Sequence, residues 1–414
     1  MKLFEKIFSI KNKGVYKVIT FLGIVIKINK IRISKRKMQK LEVQENKIVF
    51  SSFMGNSYGC NPKYIAEEII KRKLPYDLVW LVLDKKKKEQ DFPPEIRLVS
   101  YNSKQAMIET QTAKCWIDNN RKIYFWRNGL TKKTGQYYIQ TWHGSLGIKK
   151  IDADVKAFNN ETNNAWLKFA HIDSENADYL LSNSEFENNI LVPAFWFKNE
   201  VKQIGHPRND VFFKNRSLIR DKVCEYYNTD KDKKILLWVP SFRDDKRLDC
   251  YGLEYKELKK SLEEKFGGEW LIFVRLHPRI NQFSEKIIPQ KDFIINATDY
   301  PDIQELLVTA DAAITDYSSC IFDFMLSRKP GFIYATDIEQ YDTDRGFYYP
   351  LTSTPFPVAE NNKQLRKNIL NFDLDKYQEK VEEFLKDKGC MEDGHASERV
   401  VDLIEKIMKG ENND

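Results

Sequence analysis

The sequence of 414 residues predicts an α/β protein: two doubly wound, Rossmann-like domains facing a cleft, with a basic N-terminal leader and a helical C-terminal tail. Three observations predict it. The length suits two domains. Short apolar strands alternate with helical segments in two successive series, the pattern of parallel sheets covered on both faces. The polar clusters fall where strands end, which is where open α/β sheets bind ligands.

Charge is divided unevenly. Residues 1–40 hold twelve basic residues and one acid, Glu5, whereas the other 374 residues hold 55 basic and 59 acidic ones. The net charge of +7 is therefore a basic leader on a mildly acidic body. That argues against a nucleic-acid partner and for something anionic near the N-terminus. The apolar run Val18–Ile26 is nine residues long, short of the roughly 20 that cross a hydrocarbon core. No small-x-small cleavage site follows it. Leu3, Phe4, Ile7 and Phe8 stand at helical spacing among lysines, which predicts a helix lying on an anionic membrane surface. A leader helix packed on its own domain is the alternative. Six scattered cysteines without a CxxC indicate reduced thiols, with neither a disulfide framework nor a zinc site.

From residue 47 the first series reads Lys47–Ser52 as a strand, Gly55–Gly59 as a loop, and a helix capped at Asn61 with Pro62 at its first position. Strands follow at Asp77–Leu83, Ile96–Ser100, Lys114–Asp118 and Tyr137–Thr141, with Lys85–Lys88 as a solvated loop. A second series begins near Val201, with strands at 234–239, 270–275, 293–295, 312–315 and 331–334 and helices at 254–266, 302–310 and 318–327. The expected domains are 41–200 and 201–371. The tail, 372–414, is helical with Tyr377, Val381, Phe384 and Leu385 on one face.

The chemistry gathers at six strand ends. In Gln140-Thr-Trp-His-Gly-Ser145, Gly144 allows close backbone approach and a neutral His143 could take a proton from a hydroxyl; a structural histidine in a tight turn is the alternative. Gly205-His-Pro-Arg-Asn-Asp210 reads as a structural turn, with His206 held extended before Pro207 and Asn209 or Asp210 capping the next helix. Ser241 and Arg243, in Val-Pro-Ser-Phe-Arg-Asp-Asp245, suit a phosphate oxyanion, unless Arg243 pairs with Asp244 or Asp245. Arg275 and His277 alternate onto one side of their strand end and both could face the cleft. Asp316, Ser318 and Ser319 precede the helix 320–327, whose N-terminus is a ready anion site or simply serine-capped. Arg345 follows the last of these strands, within reach of a phosphate or packed. No Walker loop is present and no DxD suggests a metal-held nucleotide, so no metal is expected and any donor phosphates must be met by Arg, His, Ser and helix N-termini.

The order of these motifs, QTWHG, GHPRND, VPSFRDD, RLHP, ITDYSS with FDF, RKP and YDTDRGFYY, resembles the CDP-glycerol glycerophosphotransferase family, the polymerases and primases of wall teichoic acid and related capsule enzymes. The resemblance covers about residues 47–370. It implies a GT-B fold and a metal-independent transfer of an alditol phosphate, usually glycerol or ribitol, from a CDP-activated donor. CMP is released, and the acceptor is a hydroxyl of a cell-surface glycan or lipid-linked molecule. It also implies a peripheral enzyme on the cytoplasmic face of the membrane, without a cofactor. On this chain it makes domain 41–200 the acceptor side and 201–371 the donor side. His143 matches the family's proposed base and His277 its second functional histidine. Ser318 and Ser319 match its phosphate-binding serines, and Arg243 is an expected further pyrophosphate contact. The chain departs after WHG: Ser145-Leu-Gly-Ile-Lys149 stands where teichoic acid members usually read Thr-Pro-Leu-Lys. That places Gly144, Ser145 and Lys149 on the acceptor side and leaves the acceptor open. The alternative within transferases is a nucleotide-sugar glycosyltransferase of the same fold; outside them, an inactive membrane-bound scaffold.

Overall fold

A computed structural model describes residues 8–13, 16–22, 24–155, 165–214, 216–243, 245 and 247–411. Two parallel sheets dominate it. The first has seven strands: β4 (Gln44–Ser51), β5 (Asp77–Val82), β6 (Ile96–Ser100), β7 (Ala113–Asp118), β8 (Tyr137–Gln140), β9 (Tyr179–Ser182) and β10 (Glu200–Gln203). Their spatial order is β10-β9-β8-β7-β4-β5-β6. The second has six: β11 (Lys234–Val239), β12 (Trp270–Val274), β13 (Ile294–Asn296), β14 (Ala312–Thr315), β15 (Gly331–Tyr334) and β16 (Val358–Ala359), in the order β13-β12-β11-β14-β15-β16. Each sheet reverses strand order beside its first strand, so each has a topological switch point at its carboxyl edge. The expected pair of Rossmann-like domains is present, and the architecture is GT-B.

Burial follows the apolar runs. Leu236, Leu237 and Trp238 of β11 are buried with Ile272 and Phe273 of β12 and Ile314 of β14 in one core. The first sheet is covered on both faces, with Val49, Val79 and Trp116 in one cluster and Ile48, Phe50 and Trp80 in the other. Both strand faces being buried is why these strands read as continuous apolar runs.

Several expectations need correcting. From Phe8 to Asn29 the leader is not helical: β1 (Phe8–Lys13), β2 (Tyr16–Phe21) and β3 (Ile24–Asn29) form an antiparallel meander, and a short helix follows at Lys35–Gln39. Its β-branched content, Ile10, Val18, Ile19, Val25, Ile26 and Ile28, favours strands over the helical spacing that Leu3–Phe8 suggested; residues 1–7 lie outside the described residues. The strand at Val201 closes the first sheet instead of opening the second, because β10 pairs with β9. The first helix starts at Cys60, with Gly59 as its cap, and Lys85–Lys88 forms one helical turn capped by Asp84. The tail divides. Helix Leu374–Asp387 buries Tyr377, Val381 and Phe384 against the second domain, while helix Ala396–Lys409 returns to bury Val400, Val401, Ile404 and Ile407 against the first.

Candidate active site

The site lies between the carboxyl edges of the two sheets. The Trp142-His143-Gly144 turn leaves β8 with Trp142 in the left-handed region, φ 53°. Asn61 holds that turn: its Nδ2 donates to the carbonyls of Thr141 (2.9 Å) and Trp142 (3.0 Å), and its Oδ1 accepts from Arg208 N at 3.1 Å. Such a conformation persists only when its surroundings over-determine it. A side chain at position 144 would come within 3.0 Å of Trp142 Nε1 and 3.5 Å of Ser319 Oγ, and one at 147 within 3.4 Å of Ser319 Cβ. Gly144 thus fits closely against the Trp142 indole, and both glycines lie within van der Waals reach of the second domain's helix start at Ser319.

The two histidines face opposite hydrogen-bonding partners. His143 Nδ1 lies 2.7 Å from the Asn119 carbonyl. A carbonyl only accepts, so Nδ1 carries the proton and Nε2 keeps its lone pair. His277 Nδ1 accepts from Arg279 N at 3.2 Å, so its neutral ring carries the proton on Nε2. Burial presses both pKa values down to about 4. Arg208 and Lys149 add to the effect at His143, as do Lys149, Arg279 and His143 itself at His277. Both rings are therefore neutral at pH 7, one an acceptor and the other a donor. Trp142 and Phe53 fix the first ring, with centroids 4.0 and 5.5 Å away, and Phe242 the second at 4.6 Å.

Lys149 borders both histidines, and Arg345 borders Lys149. Lys149 makes no ion pair among the described residues, and burial, reinforced by Arg345 and Arg243 against the pull of Asp316, lowers its pKa to about 8. The backbone holds it there: Lys149 bridges Phe347, Lys150 N donates to Gly346 O at 3.0 Å, and Tyr348 N donates to Ile148 O at 2.7 Å. Arg345 spends its Nε on the Lys150 carbonyl, 3.2 Å away. Lys149, expected on the acceptor side, thus sits among second-domain groups. Ser319 precedes helix Cys320–Phe324 and makes no side-chain cap. Ser318 reaches Cys320, and among the described residues the buried Ser241 hydroxyl has no partner.

Other singled-out residues lie elsewhere or serve otherwise. Arg243 is not open to a phosphate. Its Nε and Nη2 donate to Asp337 at 2.7 and 2.9 Å, and its Nη1 to Asp316 at 2.9 Å and to the Ser241 carbonyl at 3.0 Å. Despite burial, those carboxylates hold its pKa above the usual guanidinium range. Tyr317 and Tyr341, stacked at 3.9 Å, each lie 5.0 Å from its guanidinium. Asp316 also accepts from Ser241 N at 2.8 Å, so it pins the loop after β11. Arg275 donates to the carbonyls of Tyr300 (2.6 Å) and Ala297 (3.2 Å), so its guanidinium is already occupied by backbone groups. Ser145 is buried and accepts from Asn183 Nδ2 at 2.7 Å. Arg208 forms a buried bidentate pair with Asp323 at 2.9 and 3.0 Å, and His206 Nε2 meets Glu187 at 3.0 Å. Asp210 caps the last helix of the chain instead of the next one, accepting from Ala396 N at 2.9 Å and Ser397 N at 2.7 Å. Asn119 and Asp337 escaped the sequence reading, which took Asn61 only for a helix cap and Asp323 only as part of FDF. Asn119 and Asp337 follow strand ends, the signal that found the others. Among the described residues no group of three or more His, Cys, Asp or Glu could hold a metal ion.

Facing Rossmann-like sheets with a neutral histidine pair and cations at their shared edge define a protein of GT-B architecture with a cleft suited to an anionic ligand. The comparisons narrow the class. A family model described as CDP-glycerol:poly(glycerophosphate) glycerophosphotransferase matches residues 33–406, and the chain belongs to that family. The teichoic acid poly(glycerol phosphate) polymerase of Staphylococcus epidermidis is 32% identical over 379 residues, 89% of this chain but 51% of the relative, so the chain spans about half that protein's length. The teichoic acid glycerol-phosphate transferase of Staphylococcus aureus is 31% identical over 378 residues, 87% of this chain and 93% of the relative. The structure of the wall teichoic acid polymerase TagF superposes with a TM-score of 0.77 at 30% identity, covering 92% of this chain and 94% of that one.

Proposed function

We propose that the chain transfers an alditol phosphate, glycerol or ribitol phosphate, from its CDP-activated form to a hydroxyl of a glycan or lipid-linked acceptor. The acceptor oxygen attacks the β-phosphorus, the bond from that phosphorus to the bridging oxygen breaks, and CMP leaves with the bonding electrons. His143 Nε2 takes the hydroxyl proton; a positioned base typically contributes about 10²–10⁴-fold. His277 Nε2–H, Lys149, Arg345 and the hydroxyls of Ser318, Ser319 and Ser241 meet the diphosphate and the charge that grows on CMP. Positioning and electrostatics account for most of such a transfer. The observation that carries the reading is the opposite protonation pattern of the two neutral histidines, a base and a donor on the two sides of one cleft. Arg243 and Asp316 act behind them, shaping the loop that presents Ser241. The enzyme is placed peripherally at the cytoplasmic face of an anionic membrane, held by residues 1–40; no helix among the described residues is long and apolar enough to cross one.

Incubating the protein with CDP-glycerol and CDP-ribitol in parallel, with CMP release and product linkage as readouts, tests the reading. A phosphodiester product with CMP supports it. Transfer of a sugar from a nucleotide sugar, with neither CDP-alditol consumed, overturns it.

A further inference from the structure

Among the described residues, the meander β1–β3 gathers exposed apolar side chains on one side. The registers align Phe8 with Phe21 and Ile24, Ile10 with Ile19 and Ile26, and Lys17 with Ile28. Cross-strand partners share a face and side chains alternate along a strand, so these rows, two positions apart, fall on the same face. The rings of Phe8 and Phe21 meet edge to face at 6.5 Å, as that placement requires. Six of the seven apolar residues are exposed, and none of the seven joins the three core clusters. Exposure peaks at the β2–β3 turn, where Leu22 is 66% and Ile24 65% accessible.

The meander is fastened at its other end. Asn29 Nδ2 donates to Asn128 Oδ1 at 2.6 Å and Ile31 is buried in the first domain's core. Phe21 lies five residue steps on from Tyr16, so the turn projects about 17 Å beyond the attachment at the rise of an antiparallel strand. Segment 8–30 holds five lysines and no acidic residue. Lys17 lies on this face and Lys11 and Lys27 on the opposite one, so a bilayer entered tip-first meets lysines on both faces, whereas a second copy laid on the apolar face would cover Lys17 and leave the other two outside. A bilayer with anionic headgroups complements both features, taking up the apolar tip and attracting the lysines. Three short strands with open edges cannot enter the hydrocarbon core far, because their edge N–H and C=O groups need water or headgroups.

We propose that the β1–β3 meander is a wedge that docks on an anionic bilayer: Phe8, Phe21, Leu22 and Ile24 enter the headgroup–acyl boundary and Lys11, Lys17 and Lys27 face the headgroups. This rests on the membrane placement above and deepens it, replacing a helix lying flat by a projecting sheet. The test uses the full chain with vesicles of phosphatidylcholine, with and without phosphatidylglycerol, and no donor, so its outcome is independent of the reaction proposed. Wild-type protein binds the anionic vesicles, less as salt rises. Leu22→Glu/Ile24→Glu loses at least about tenfold in partition, and in Leu22→Trp the emission of the introduced indole shifts to the blue when anionic vesicles are added. Undiminished binding of the double variant, or an unshifted emission from Leu22→Trp, overturns the proposal. So does a wild-type dimer in lipid-free solution that the double variant dissolves, which would assign the face to a second copy. Turnover on a soluble acceptor stays unchanged in the double variant; its loss would make the meander part of the catalytic body and overturn the wedge.

Discussion

Replacing each histidine by the two amides that mimic one ring nitrogen at a time separates their roles. An Asn amide reaches the Nδ1 position of the imidazole and a Gln amide the Nε2 position. At position 143, Asn keeps the donor to the Asn119 carbonyl, 2.7 Å away in the wild type, but supplies no base. His143→Asn is therefore expected to keep donor affinity and lose about 10²–10⁴ in kcat, the range of a positioned base, or roughly 3–5 kcal/mol of barrier. At position 277, Gln restores an N–H near the Nε2 site and gives up only the acceptor for Arg279 N, a residue at the surface that water can serve. His277→Gln should lose about tenfold or less, since one hydrogen bond to a charged group is worth about 1.5–3 kcal/mol and most of it is retained. His277→Asn, which loses the donor, should fall further. The assay is CMP release under saturating acceptor, with donor binding measured by calorimetry. The pH profile adds a sign. His143 must be neutral to act as the base, and burial puts its pKa at about 4, so wild-type kcat/KM should be flat through neutral pH and fall as pH drops through about 4. The reasoning is refuted if His277→Gln is as damaging as His143→Asn, or if His143→Asn abolishes donor binding.

Three further outcomes are expected. Lys149→Met should raise the donor KM by about 10- to 100-fold with a smaller effect on kcat, from the loss of one charge-assisted contact. Because Lys149 loses its charge above about pH 8, wild-type kcat/KM for the donor should decline there and the variant's should not. Arg243→Met should destabilise the second domain by about 3–5 kcal/mol in a denaturant titration, chiefly by leaving the Asp316 carboxylate buried without its cation; full stability with a raised donor KM would instead make Arg243 a direct phosphate ligand. Asp210→Ala should cost about 0.5–2 kcal/mol, the usual worth of a helix cap, and show first as faster amide exchange around Ala396.

The parts of the fold carried by local pattern were legible in the sequence. Buried parallel strands such as Lys234–Val239 announce themselves as apolar runs, and strand ends marked His143, His277 and Ser319 without any contact being known. Contacts between residues far apart in the chain were not legible. Arg243 could be matched with a phosphate or a neighbouring aspartate, but its partners are Asp316 and Asp337, 73 and 94 residues on. Asp210 caps a helix that begins 186 residues later. Alternation puts Arg275 beside His277, but its guanidinium is taken by the carbonyls of Ala297 and Tyr300, 22 and 25 residues on. The strands between Phe8 and Asn29 went unread for another reason: their β-branched residues fit strands, but pairing between neighbouring strands is what decides it, while the helix expected from Leu3, Phe4 and Ile7 falls outside the described residues.

The contacts between the domains bear on how the histidines stay aligned. Lys63, on the first domain's helix Cys60–Lys71, is buried against Asp302 at 2.8 Å and Glu305 at 2.6 Å of the second. Arg208, on the segment joining the domains, is bound to Asp323 at 2.9 Å. Removing one partner from a buried pair costs about 3–5 kcal/mol, since it strands a charge away from water. Pulling the domains apart would separate Lys63 from both carboxylates unless water entered as fast as the pairs broke. The chain also crosses back, because the helix Ala396–Lys409 packs on the first domain and is capped by Asp210. Wide opening is thus opposed at several buried points, and the cleft is held near one geometry before any donor arrives. A transfer that relies on positioning gains most from such a frame: Nε2 of His143 and Nε2–H of His277 are aimed by backbone groups, Asn119 O and Arg279 N, on opposite sides of a joint that resists motion.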